Sequence, residues 1–200
     1  MSEVVSMGRP RKFEERDVLV SVMGVFWEKG FEATSINEIV ARTGLNKHSL
    51  YNEFGDKENL FLLCIDEYVN KSIKELGDIL TSEPLGLSNI EAFFDNRVAY
   101  ATSGTCKGCL LINSVTEKET LSERINQKVI SLLSNLNKVS FYNCLKAAQE
   151  NNEISRDKNC EVLASYLTCF LFGLVNIGKN ETRENEIRKI VDAALLVVKN

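Results

Sequence analysis

The chain has one histidine, one tryptophan and two prolines in its 200 residues. Each scarcity removes a class of reading. His48 is the only imidazole, so no His–Cys or His–Asp nucleophile–base pair can be built without it. Prolines occur only at Pro10 and Pro84, and alternating Val, Thr and Tyr runs are missing; an all-α chain fits best. The most apolar stretch, "VLASYLTCFLFGLVNI" (162–177), contains Ser, Thr and Asn and falls short of the about 20 residues of a membrane span. It is expected to be a buried core helix. The opening residues "MSEVVSMGRPRK" lack the apolar core of a secretory leader. The six cysteines show no disulfide-framework spacing, so reduced thiols in a cytoplasm are expected.

What is present is a chain of 44% hydrophobic and 26% charged residues, the balance of a soluble globular protein rather than a disordered one. Its length suits one domain, or a small head on a larger body. The net charge of −4 argues against bulk attraction to nucleic acid, which requires a basic face. A local exception is "GRPRK" (8–12), with three positive charges and no acid.

Periodicity places a first helix at 14–30, with Val18, Val22, Val25 and Phe26 on one stripe and Gly30 as its stop. Thr34 or Ser35 caps a second helix; Glu38, three residues after Ser35, has capping-box spacing. Gly44 closes that helix. A third follows at about 46–53, with Leu50 and Phe54 inward and Asn46, Lys47, His48 and Ser49 outward. Asp56 caps a long fourth helix reaching about residue 80. "TSEPLGLSN" (81–89) is the clearest break. Helical patterns return at about 88–103, 120–150, 157–178 and 183–199.

Two short helices about one glycine, the second polar in front and apolar behind, form a helix-turn-helix pattern. A major groove about 12 Å wide admits one such helix. The segment "FWEKGFEATSINEIVARTGLNKHSLYNEFGDKENLF" resembles the DNA-binding head of the TetR family of bacterial transcriptional regulators, in the order and spacing of its Gly, Thr-Ser, Gly-Leu, Leu-Tyr-x-x-Phe and Lys-Glu-x-Leu elements. The resemblance implies a DNA-binding head over residues 8–68, with its helix-turn-helix at about 34–53. It also implies a ligand-binding and dimerisation body over residues 69–200. It assigns phosphate contacts to Thr34, Ser35, Tyr51 and Lys57. Base reading falls to Lys47, His48 and Ser49, with Asn46 beside them, and Arg9 and Arg11 form a minor-groove arm. The roles of Asn52 and Glu53 are left open. The partners implied are double-stranded operator DNA and a second copy of the chain. The protein is then a non-enzymatic regulator, usually a repressor, released by a small molecule or oxidant.

In the body, the helices at 160–178 and 183–199 are apolar over wide faces, Leu171 and Ile190 included, and a homodimer would cover them. "TCKGCLLINSVTE" (105–117) resembles a branch of the family similar to NemR- and AcuR-type regulators. Cys106 and Cys109 flank Lys107 just ahead of an expected helix start, which would lower a thiol pKa and favour a redox sensor; a core role for Cys109 is the alternative. Phe93, Phe94, Tyr100, Leu136, Phe141 and Tyr142 are candidates for an apolar ligand pocket. No second Cys or His pair lies at ligand spacing, so no metal and no cofactor are expected.

Overall fold

The computed structural model describes residues 14–135, 138–179 and 183–199. Arg9, Arg11 and Leu136 lie outside them. Among the described residues the regular structure is helical, without a strand. α1 (Glu15–Lys29), α2 (Ile36–Thr43) and α3 (Lys47–Phe54) make a small head. α4 (Lys57–Tyr68) runs out of that head, widens into one π-helical stretch (Val69–Ile73) and continues as α5 (Lys74–Thr81). The body adds α6 (Leu87–Ala101), α7 (Leu110–Thr116), α8 (Glu123–Asn135), α9 (Lys138–Glu150), α10 (Cys160–Ile177) and α11 (Glu184–Lys199).

Local rules explain the head. Gly30 and Gly44 both take positive φ, +84° and +69°, a conformation that side-chain-bearing residues avoid. Ser35 accepts the Glu38 amide at 3.2 Å while the Glu38 carboxylate accepts the Ser35 amide at 2.9 Å, the expected capping box. Behind the helices, Val22, Phe26, Ile39, Leu50, Phe54, Phe61 and Ile65 are buried together. Phe26 meets Phe61 edge-on, with centroids 4.8 Å apart.

The head has no separate core, because a single apolar cluster runs from α1 to α11. In the body, Phe93, Phe94 and Phe141 pack ring on ring, with centroids 5.2–5.8 Å apart. α10 packs most closely on α9 and also touches α6 and α11. It is long and apolar enough, by length and composition, to cross a membrane, yet it is built into this bundle through Leu163, Leu167, Leu171 and Leu174. Two boundaries depart from the sequence reading. The stretch from 120 to 150 holds two helices rather than one, and the helix expected to start after Cys109 is short, the seven residues "LLINSVT".

Candidate nucleic-acid interface and the cavity behind it

α3 carries the outward-facing residues. Leu50 and Phe54, four apart, are buried and hold it from behind. Lys47 and Tyr51, and His48 and Asn52, are also pairs four apart, and all four are exposed, with Tyr51 42% accessible. His48 Nε2 lies 3.0 Å from Asn52 Nδ2. The amide N–H donates to that ring nitrogen when the imidazole proton sits on Nδ1. Asn52, whose role the sequence left open, thus shares the exposed face of α3 with His48; its i+4 spacing was the available signal. Ser49 is half-buried at the flank.

One sequence assignment is corrected, and a second residue has a structural role beside its expected one. Thr34 is 1% accessible, and its hydroxyl donates to the Gly30 carbonyl at 2.6 Å. It closes the α1–α2 turn and offers no hydroxyl to a phosphate. Ser35 is the exposed hydroxyl at the start of α2. Asn46 is the N-cap of α3, and its Oδ1 accepts the Ser49 amide at 2.8 Å. That oxygen is committed to the helix, while the residue stays exposed beside Lys47.

Lys57 opens α4 with its ammonium 4.4 Å from the centre of the Phe31 ring and 3.4 Å from the Glu32 carbonyl. Its charge is thereby set beside the α1–α2 turn. Glu38 places an acid near the start of α2. The Lys29 ammonium, then the Ser35 amide and hydroxyl, hold its carboxyl down at about 2, so it is ionised and already partnered.

The head is tied to the body by side chains. The Glu117 carboxylate, at the end of α7, accepts the Phe31 amide at 2.9 Å and the Glu32 amide at 3.1 Å. Lys107 bridges to Glu28 at 2.6 Å, and Lys128 to Asp66 at 2.6 Å.

Where α1, the π-helical stretch, α6, α7 and α10 meet lies a cavity of about 390 Å³. Of the expected pocket residues it is lined by Phe93 and Tyr100 only. Phe94 and Phe141 are fully buried and stack on each other, and Tyr142 packs against the core away from the cavity. The correction has a simple cause: a buried ring fills core or borders space according to its facing, and periodicity does not encode facing. The wall includes three polar-tipped residues that sequence reading passed over, Trp27, Tyr68 and Arg97. Arg97 was detectable as a lone cation four residues after Phe93 on an apolar stripe.

Cys109 also lines the cavity. The expected helix start is present, and the Leu111 and Ile112 amides and the Tyr68 hydroxyl, 3.3 Å from Sγ, all pull its pKa down. Burial outweighs them and pushes the thiol up. Lys107, paired with Glu28, is not among the groups acting on it. The expectation of a part-ionised Cys109 is therefore overturned. Cys106 is half-buried, Cys169 is exposed, and all six thiols are free.

On the outside of the bundle, Val162 and Ile177 of α10 and Ile190, Leu196 and Val197 of α11 are exposed, Val162 by 62% and Ile190 by 41%. Leu171 is not among them; it faces inward onto the cavity wall.

Comparison with known proteins agrees with this architecture. Residues 20–64 match the model of bacterial regulatory proteins of the tetR family, and residues 86–196 match that of the tetracyclin repressor-like C-terminal domain. The chain is 30% identical over 173 residues to the transcriptional repressor ComR of Escherichia coli K12, covering 84% of this chain and 81% of ComR. It is 34% identical over 109 residues to the repressor BdcR of the same organism, a match spanning 54% of this chain and 55% of BdcR. Among solved structures, a cysteine mutant of CifR complexed with 26-base-pair operator DNA shares the fold, with a TM-score of 0.81 and 24% identity over 94% of this chain and 98% of that one. The chain belongs to the TetR family of bacterial transcriptional regulators.

Proposed function

We propose that the protein is a homodimeric, non-enzymatic transcriptional repressor that acts in the cytoplasm, reads operator DNA with α3 and releases it when a small molecule fills the cavity. The observation that carries this reading is the division of α3. Lys47, His48, Tyr51 and Asn52 share one exposed face, and Leu50 and Phe54 fix that face from behind. A major groove takes one helix of that kind. Ser35 and Lys57 stand beside it where a phosphate contact would fix register. Residues up to about 68 form the reading head and the rest the sensing body. The CifR neighbour is seen on operator DNA, which supports the same use of the fold.

The exposed apolar residues of α10 and α11 support pairing with a second copy, which would present two heads to two half-sites. The link from cavity to head is α7. Its first turn, with Cys109 and Ile112, borders the cavity, and its far end carries the Glu117 carboxylate bound to the α1–α2 turn. A ligand that moves α7 moves the helix-turn-helix.

The test is a gel shift with the DNA upstream of the gene, titrated with salt. Binding that weakens steeply with salt supports the reading, and no binding to any promoter-proximal fragment at low salt defeats it. A second reading, release by an oxidant or electrophile at Cys106 or Cys109, keeps one observation in its favour: Cys109 forms part of the cavity wall. Its buried, raised thiol makes it a slow nucleophile, so a non-covalent ligand is favoured.

A further inference from the structure

The cavity differs from a plain apolar void in the polar-tipped residues of its wall, two of which carry a buried donor without a partner. The phenols on its wall are already used. The Tyr68 hydroxyl donates to Cys109 Sγ, and the Tyr100 hydroxyl donates to the Gly108 carbonyl at 3.3 Å and accepts the Lys107 amide at 3.1 Å. Two donors on the same wall are not. Trp27 Nε1 and Arg97 Nε are buried and have no hydrogen-bond partner.

Arg97 is the stronger indicator. Its guanidinium reaches the Asn96 side chain through Nη2 and lies 5.2 Å from the Tyr100 ring, but among the described residues no carboxylate pairs with it. Burial works against its charged form. The carboxylate on the wall is Glu75, which is exposed and makes no ion pair with Arg97. A largely buried cation with no counter-charge is unfavourable, and so is a buried N–H with no acceptor. An arginine fork is suited to a planar carboxylate. The remaining wall, with Phe93, Ile112, Leu171, Phe172 and Val175, is apolar.

We infer that the cavity takes an amphipathic organic anion, with its carboxylate on Arg97, a second acceptor on Trp27 Nε1 and an aryl or alkyl body against the apolar wall. This rests on the reading of the cavity as the effector site. It adds the chemical class of the effector and an anchor.

Trp27 is the only tryptophan in the chain, so indole fluorescence reports on this cavity alone. The experiment titrates the full-length protein with 4-phenylbutyrate and octanoate, each against its neutral primary amide, and reads Trp27 fluorescence and thermal midpoint. At least one acid is expected to bind tenfold or more tightly than its amide. Arg97→Gln should erase that preference, and Arg97→Lys should keep part of it. Removing one charge of a buried pair is costly because it strands the other, and Arg97 has no paired carboxylate among the described residues to strand, so Arg97→Gln is expected to fold, which its thermal midpoint reports directly. If the amides bind as well as the acids, if neither binds, or if the preference survives in Arg97→Gln, the inference is overturned. A gel shift run alongside separates the two readings. An acid that binds through Arg97 without releasing DNA leaves this site standing and removes release by cavity ligands.

Discussion

The Glu117 carboxylate accepts the Phe31 backbone amide at 2.9 Å across 86 residues of chain, and the Glu32 amide at 3.1 Å beside it. The turn that opens the helix-turn-helix is thus held by the end of α7. Glu117→Ala should leave both amides without their protein acceptor and lower stability by roughly 1–2 kcal/mol, toward the low end for bonds to a charged group because the site is partly open to water. Hydrogen exchange should quicken at Phe31 and Glu32 and stay unchanged in α6. Unchanged protection at the two amides would mean that Glu117 does not hold the turn.

Readout and anchoring should separate on α3 and α4. Lys47→Ala and His48→Ala should each cost about 1–3 kcal/mol of discrimination between bases. Asn52→Ala should be non-additive with His48→Ala, since the two side chains lie 3.0 Å apart. Lys57→Ala should instead weaken all sequences alike and reduce the salt slope by roughly one. DNA selected from a random pool by each variant, with salt-titrated affinities, checks both claims. A sequence preference untouched by Lys47→Ala would mean that α3 is oriented otherwise.

A charge on the outer face should act on assembly, and one on the inner face on folding. Ile190→Glu lies on the exposed surface of α11 and should give a folded monomer where the unaltered protein sediments as a dimer at micromolar concentration. Leu171→Glu places an unpaired carboxylate in the interior and should unfold the chain instead. A stable monomer of the unaltered protein would end the dimer assignment.

Alkaline pH should loosen the body through its buried thiols. Burial pushes the Cys144 thiol from its ordinary 9.0 up to about 11. A raised pKa favours the neutral thiol in the folded state. The contribution is therefore full below pH 9, falls as the unfolded chain ionises above 9, and is lost by about 11, a loss of roughly 2–3 kcal/mol. Thermal midpoints measured from pH 8 to 11 should decline, and the decline should be shallower in Cys144→Ala. Equal slopes in the two proteins would show that Cys144 does not contribute.

Thiol-directed alkylation should reach the exposed Cys169 and half-buried Cys106 before Cys64, Cys109, Cys144 and Cys160. Mass mapping of the adducts over time decides the order. Labelling of Cys109 ahead of Cys169 would reverse the assignment of a protected thiol and revive the covalent sensor.

The head was legible because its signals are local. Gly30, Gly44 and the Ser35–Glu38 box each act within one turn of their own position, so the sequence alone places α1 to α3 within about two residues. What was not legible depends on facing. Thr34 and Ser35 are adjacent hydroxyls, and only the packed turn shows that one is buried against the Gly30 carbonyl. The six candidate pocket residues were chosen by type, yet Phe94 and Phe141 close the core while Arg97 and Trp27 border the space. Leu171 and Ile190 both sit on apolar helices, and nothing in the spacing says which side a second subunit would cover. The pull of the α7 start on Cys109 was foreseen correctly, but burial is set by the whole fold and reverses the outcome.

The π-helical stretch between α4 and α5 carries a consequence for chain length. A turn closed by i→i+5 bonds holds one residue more than an α turn. The long helix therefore contains one residue of slack between Val69 and Ile73, bracketed by Tyr68 on one side and Lys74 on the other. Removing a residue there would convert the stretch to ordinary α-helix and leave α4 and α5 facing as they do. The same deletion elsewhere in either helix would turn one against the other by about 100°. A wide turn that slid along the helix would rotate only the residues it passed; Tyr68, the first on its N-terminal side, borders the cavity, as do Ser72 and Ile73 within the stretch itself.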